Sequence, residues 1–448
     1  MRIINGKIVS ATSPNMILEG YTLEIKGKVI ERILPSDQIS SQIPGEDIID
    51  AKGQYILPGS ICAHTHFYGA FARGMSIPGE PAQDFPQILN KLWWPLDRAL
   101  DENSVRFSAQ VCLIDAIKHG TTTLFDHHAS QNFIRGSLDI IAEEVLNSGL
   151  RAALCYEVTD RDGEERTLQG ISENMRFYES AKNNRFNRDR LSSLFGLHAG
   201  LTLSDETLQS ARDAAPEDLG FHIHVAEHSS DQDNSLNKYG MRVVERLNRF
   251  NILGPNSIIV HGVHLDEKEL ELLANSKSWV THQPRSNMNN GVGMAQVEAM
   301  DQAGIRVCLG NDGFSNAMWE EWKAAYLAHK LWHRDPRRMQ ASLIAKMAFS
   351  NNAALATHAF QTEIGTLTES CRADLIFVDY HPFTPVTEGN LPWHIVFGFD
   401  EGLITSTMVD GEFLMRNKEL LTLDEDKITS EAMAYAPRVW QNFQELSK

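Results

Sequence analysis

Two histidines two residues apart, His64 and His66, close the apolar run PGSICAHTH. On an extended strand, residues two apart share a face, so both imidazoles can approach one metal ion. Alone the pair is a weak signal. Polar residues close other apolar runs in the same way: His224 in HVAE, His264 in VHGVHL and Asp312 in LGNDG. His64, His66, His224 and Asp312 make a set of imidazoles and one carboxylate, without thiolate, that suits zinc and also ferrous iron or manganese. A metal so held lowers the pKa of its water toward ~7 and makes a nucleophile at neutral pH. Glu227 lies just past His224, toward substrate rather than metal, and a partly buried carboxyl there can act as general acid and base. His264 fits either a ligand or a group that holds the attacking water. Asp312 can ligate, take the water's proton, or cap the helix that follows.

Other residues have weaker claims. His127 and His128, in FDHHAS, contact substrate or cap a helix. His222 reads as a core histidine. His261 has the opposite parity to the end of its strand and is expected to pack on a helix. His282 competes for its space with Gln283 and Asn287. Trp93 and Trp94 either cover a flat substrate or pack a helix on the body of the protein. Asn311 and Trp319 flank the last run and can line a pocket.

These residues need a scaffold that gathers strand ends. Eight apolar runs alternate with helical patterns: ILPGSICAHTH, TTTLFDHH, RAALCYEV, LSSLFGLHA, GFHIHVAE, SIIVHGVHL, SWVTHQP and IRVCLGNDG. Near-continuous apolar strands between helices indicate a parallel sheet buried on both faces. Eight units fit an α/β fold of the (β/α)8 TIM-barrel type, whose active sites lie at the C-terminal rim where these polar residues collect. An open doubly wound sheet is the alternative. No G-x-G-x-x-G or P-loop follows a strand, which removes the usual nucleotide reason for it. The first residues and the stretch ADLIFVDY…LITSTMVDGEFL alternate polar and apolar positions around turns, so both chain ends are expected to build one small β-sandwich domain. The expected division is 1–56 and 361–420 for that domain, 57–360 for the barrel and 421–448 for a helical tail.

Composition narrows the rest. The 448 residues carry a formal charge of −18, which argues against nucleic acid or an anionic membrane as partner. The five cysteines form no C-x-x-C pair and suit a reducing, cytoplasmic setting. There is no apolar signal core and no run of about 18 apolar residues that would span a membrane.

The motifs PGSICAHTH, FARGM, HAGLTLS, HVAE, VHGVHL, THQPRSNMNNG and LGNDG resemble, in order, the amidohydrolase superfamily. The resemblance is to its branch of aminohydrolases, deaminases and chlorohydrolases, and most to the SsnA-type aminohydrolases. It covers nearly the whole chain. It implies that His64 and His66 are the first-strand metal pair, His224 the fifth-strand ligand and Asp312 the eighth-strand ligand and base. Glu227 would be the proton shuttle, and His264 the sixth-strand histidine on the hydrolytic water. Arg73 and His198 would contact substrate; His127, Trp94 and Trp319, read from their positions alone, are further candidates for that role. The fourth-strand end, LFGLHAG, lacks the lysine of two-metal relatives, so one divalent ion is expected, zinc first and iron second. The branch's H-A-P-Y is here His198-Ala199-Gly200-Leu201, which leaves the substrate open. The expected reaction is removal of an amino group from a small nitrogen heterocycle by a homo-oligomeric enzyme. Loss of chloride or an amide nitrogen is the alternative, and a non-catalytic scaffold a remoter one.

Overall fold

The computed structural model describes residues 1–39, 47–183 and 189–447. Eight parallel strands form its centre: Ser60–Thr65, Thr121–His128, Arg151–Tyr156, Phe195–Ala199, Phe221–Val225, Ile258–His261, Trp279–His282 and Arg306–Leu309. They pair in chain order. The fourth strand is bent: Leu191–Ser193 pairs with the third strand, and Phe195–Ala199 with the fifth. Val158 and His198 carry the ladder across this bend, through Val158 N–H to Gly196 O (3.2 Å) and His198 N–H to Val158 O (2.9 Å). The eighth strand meets the first through Asp312 N–H to His64 O (3.1 Å) and His66 N–H to Asp312 O (3.0 Å), which closes the barrel.

Both junctions depend on glycine. A Cβ on Gly196 would stand 2.3 Å from the Tyr156 carbonyl oxygen, and one on Gly310 would stand 2.8 Å from the His64 nitrogen. Side chains at either position would hold the strands apart. Inside the barrel, Ile61, Ala63, Phe125, Ala153, Cys155, Val260 and Cys308 share one apolar cluster. Alternate residues, such as Ile223, Val225, Ile259 and Val307, pack in the larger cluster with the helices. That division is the period-2 alternation of strands buried on both faces.

The small domain draws on both chain ends. Among the described residues, a four-stranded sheet runs Val29–Pro35, Tyr21–Lys26, Arg2–Ile4, Ile48–Asp50. A seven-stranded sheet runs Glu419–Leu420, Glu412–Arg416, Ile404–Val409, Leu375–Val378, Tyr55–Pro58, Lys7–Val9, Ile17–Leu18. Ile3, Leu23 and Ile25 of the first pack with Ile8, Ile56, Leu375 and Met408 of the second. The strand Tyr55–Pro58 belongs wholly to this sandwich, so the expected boundary at residue 56 falls inside it. Residues 40–46 of the expected N-terminal part, 1–56, lie outside the described residues. The chain ends in a helix, Glu425–Leu446, capped by the Asp424 carboxylate on the Lys427 N–H.

Candidate metal centre and substrate cavity

The first barrel strand sets the geometry. Ile61 and Ala63 point into the barrel and Cys62 outward. Simple alternation would then turn His64 outward. The pairing to the second strand shifts instead: Cys62 matches Leu124 and Thr65 matches Asp126, so the first strand carries one extra residue there. This bulge turns His64 inward and leaves His66 inward two residues later. His64, His66, His224 and Asp312 each present a ligand atom, all within 4.8 Å of one another.

The outer ring nitrogens are committed. His66 Nδ1 donates to the His127 carbonyl at 2.6 Å and His224 Nδ1 to the His198 carbonyl at 2.9 Å. His64 Nδ1 meets His222 Nε2 at 2.9 Å. With their protons spent on carbonyls, His66 and His224 turn Nε2 lone pairs toward each other at 3.2 Å. Such a pair is favourable only with a cation or proton between. His64 Nε2 is buried without a hydrogen-bond partner, and the Asp312 carboxylate lies 3.5 Å from it and 2.9 Å from His66 Nε2. Three neutral imidazoles and one carboxylate are a donor set for a divalent metal ion.

Beside this cluster stands Glu227. Its Oε2 is 3.3 Å from His261 Nε2, and its Oε1 accepts from Asn290 at 3.1 Å. Burial, and then the neighbouring Asp312 carboxylate, raise its pKa well above the ordinary carboxyl range. The shift is in the direction that favours the protonated form, which a general acid needs. Asp312 itself accepts a hydrogen bond from Ser286.

A cavity of about 880 Å³ opens from these groups, lined by His66, His224, Glu227 and Asp312 at its floor and by Trp93, Trp94, Phe85 and Leu89 along a wall. Such a volume is that of a small-molecule site.

A family model described as "Amidohydrolase family" matches residues 55–414.

This chain belongs to the amidohydrolase family.

A 5-methylthioadenosine/S-adenosylhomocysteine deaminase of Acetivibrio thermocellus is 30% identical over 98% of this chain and 99% of its own. A 5'-deoxyadenosine deaminase of Methanosarcina mazei is 31% identical over 89% of each chain. Among solved structures, an adenosine deaminase from Xanthomonas campestris with bound zinc superposes with a TM-score of 0.84 at 20% identity, over 98% of both chains. As an amidohydrolase with this His/Asp cluster, the protein is a metal-dependent hydrolase acting on carbon–nitrogen bonds of small molecules.

Other expected site residues divide. Arg73, His198 and Trp94 line the cavity. Arg73 is exposed at its mouth. His198 bonds the Thr202 hydroxyl through Nδ1 at 2.6 Å. Trp94 stacks under the Arg161 guanidinium at 4.9 Å.

Three residues stand elsewhere. His264 is corrected: its Nε2 bonds the Val292 carbonyl at 2.9 Å, away from the ligand cluster. The sixth strand ends earlier than expected, and His261 occupies the position instead. Alternation would turn His261 outward, because Val260 points in. A left-handed backbone at His261 (φ 71°), followed by Gly262 (φ 60°), breaks the alternation and brings its ring to 5.6 Å from that of His224. His127 lies beneath the site, its Nε2 on the His222 carbonyl at 3.0 Å, and does not line the cavity. Trp319 is 3% exposed and packs on Phe399 at 5.0 Å in the core. Its helix turns that face toward the small domain, where Glu401 accepts the Trp319 N–H at 2.9 Å.

Glu157 was not singled out in the sequence, yet it lines the cavity. Its Oε1 is 3.6 Å from His198 Nε2 and its Oε2 is 3.3 Å from His127 Nδ1. The signal was present: in RAALCYEV it shares parity with the inward Ala153 and Cys155.

Proposed function

We propose that this amidohydrolase is a zinc-dependent aminohydrolase that exchanges the amino group of a nitrogen heterocycle for oxygen, with release of ammonia. The observation that carries the reading is Glu227: a buried carboxyl beside a His3Asp cluster, lining the cavity. The relatives named above as deaminases of adenosine derivatives make those the first compounds to test, and the zinc of the solved adenosine deaminase supports that metal over iron. The fourth strand offers no lysine to a second ion, which supports a single one. A divalent ion held by His64, His66, His224 and Asp312 supplies a Lewis acid that lowers the pKa of water toward ~7.

The protein's own groups do the rest. Glu227 delivers a proton to the ring nitrogen next to the amino-bearing carbon as water adds to that carbon. Asp312 accepts one proton of the water and passes it to the departing amine. As the carbon–oxygen double bond forms, Glu227 takes back the proton left on the added hydroxyl, so one ammonia leaves for each water consumed and both carboxyl groups return to their starting states. His261 Nε2 stands between the two carboxyl groups, 3.3 Å from Glu227 and 3.9 Å from Asp312, free to hold the attacking water. His198 and Arg73 orient polar groups of the substrate. Glu227→Gln should abolish ammonia release from adenosine derivatives while the purified protein keeps its zinc. A fully active variant would remove Glu227 from the reaction.

A further inference from the structure

The cavity extends well past the ligand cluster. At about 880 Å³ it lies near the top of the range of roughly 300–1,000 Å³ that serves whole drug-sized ligands, so a bare heterocycle leaves much of it empty. Its far side is made by the C-terminal helix. Ala432, Met433, Ala436 and Trp440 line it from one stripe of that helix, opposite Phe71 and Val111. These spacings of three, four and seven residues lie on one helical face.

The helix is fixed in that position. Trp440 Nε1 donates to the Phe71 carbonyl at 2.9 Å, Tyr435 donates to Asp101 at 2.6 Å, and Asn442 donates to the Ala99 carbonyl at 3.3 Å. Phe71 follows the first barrel strand, so the same segment that leaves the ligand pair His64 and His66 also anchors the helix. The two alanines keep this part of the cavity wide. Met433 is 72% exposed, an apolar side chain at the cavity without a protein surface to cover it.

We propose that the C-terminal helix forms a distal apolar arm of the substrate cavity, and that the substrate carries an apolar substituent which this arm receives. The inference rests on the aminohydrolase reading for its choice of ligands. The heterocycle sits over His66, His224 and Glu227, and the substituent runs along Met433, Ala436 and Trp440. An adenosine whose 5'-hydroxyl is replaced by a methylthio group is a direct probe. Burial of two carbon-sized groups converts to roughly tenfold in affinity.

The test is calorimetric binding of adenosine and of 5'-methylthioadenosine to the zinc-loaded full chain. The methylthio compound is expected to bind roughly tenfold more tightly. Ala436→Trp, which fills the arm, should bring the two affinities within about twofold of each other. Equal affinities in the unaltered protein, a ratio that Ala436→Trp leaves intact, or no binding of either compound would overturn the arm. Met433→Lys, at an exposed position that folding tolerates, should lower the same ratio if Ala436→Trp does not fold, and an unchanged ratio there would overturn it equally. Discrimination in binding without ammonia release would overturn the aminohydrolase reading and leave the arm standing.

Discussion

The two rims of the barrel bury charge in opposite ways. At the N-terminal rim Arg151 is fully buried between Asp374 and Asp410, with Arg190 and Arg372 each 3.4 Å from Asp410. Every charge there has an opposite partner, and the network joins the third barrel strand to the small domain. At the C-terminal rim, His64 Nε2 and His261 Nε2 are buried without hydrogen-bond partners, and Glu227 and Asp312 lie near one another as two carboxyl groups. Buried groups left unpaired cost stability. That cost falls at the rim where we propose that a metal ion and a substrate complete the pairing, whereas the charges are paired where only the fold is at stake.

The largest effect that would break this contrast is at the ligands. His64→Ala should remove both the bound metal, read by metal analysis, and activity. Retention of stoichiometric metal would show that the cluster is not the metal site. Next, His261→Asn should lower kcat by on the order of 10²-fold, whereas His264→Asn should stay within a few-fold of the unaltered enzyme. Equal losses would return the water-side role to His264. At the opposite rim, Arg151→Met leaves Asp374 and Asp410 without a central partner and should cost about 3–5 kcal/mol in denaturant unfolding. Metal content should stay the same, and loss of metal before unfolding would mean the rims are coupled. The smallest effect belongs to Trp319→Phe, which should cost about 1–3 kcal/mol of stability with KM unchanged. A raised KM would put Trp319 back in the pocket.

Legibility in the sequence follows the strand period. His224 closes an apolar run and points inward by alternation, as does Glu157, which the same rule would have found. His64 was read inward from its spacing to His66, and the pair does share a face. The reason is a bulge between Cys62 and Thr65 that the sequence does not display. His261 defeated the rule because one left-handed residue reverses a side chain's direction, with only the following Gly262 as a hint. Trp319 was misplaced because position after a strand says nothing about which face of the next helix meets the core.

By itself, then, the sequence determined the alternation of apolar strands and helices, their number, and the chemistry of the groups at their ends. These depend on residue type and on a period of two, both of which are local. Only the tertiary structure decided that His261 rather than His264 stands beside Glu227, that His127 lies beneath the site, and that the C-terminal helix walls the cavity. Each of these depends on a backbone reversal or on a contact between segments far apart in the chain, and neither leaves a periodic trace.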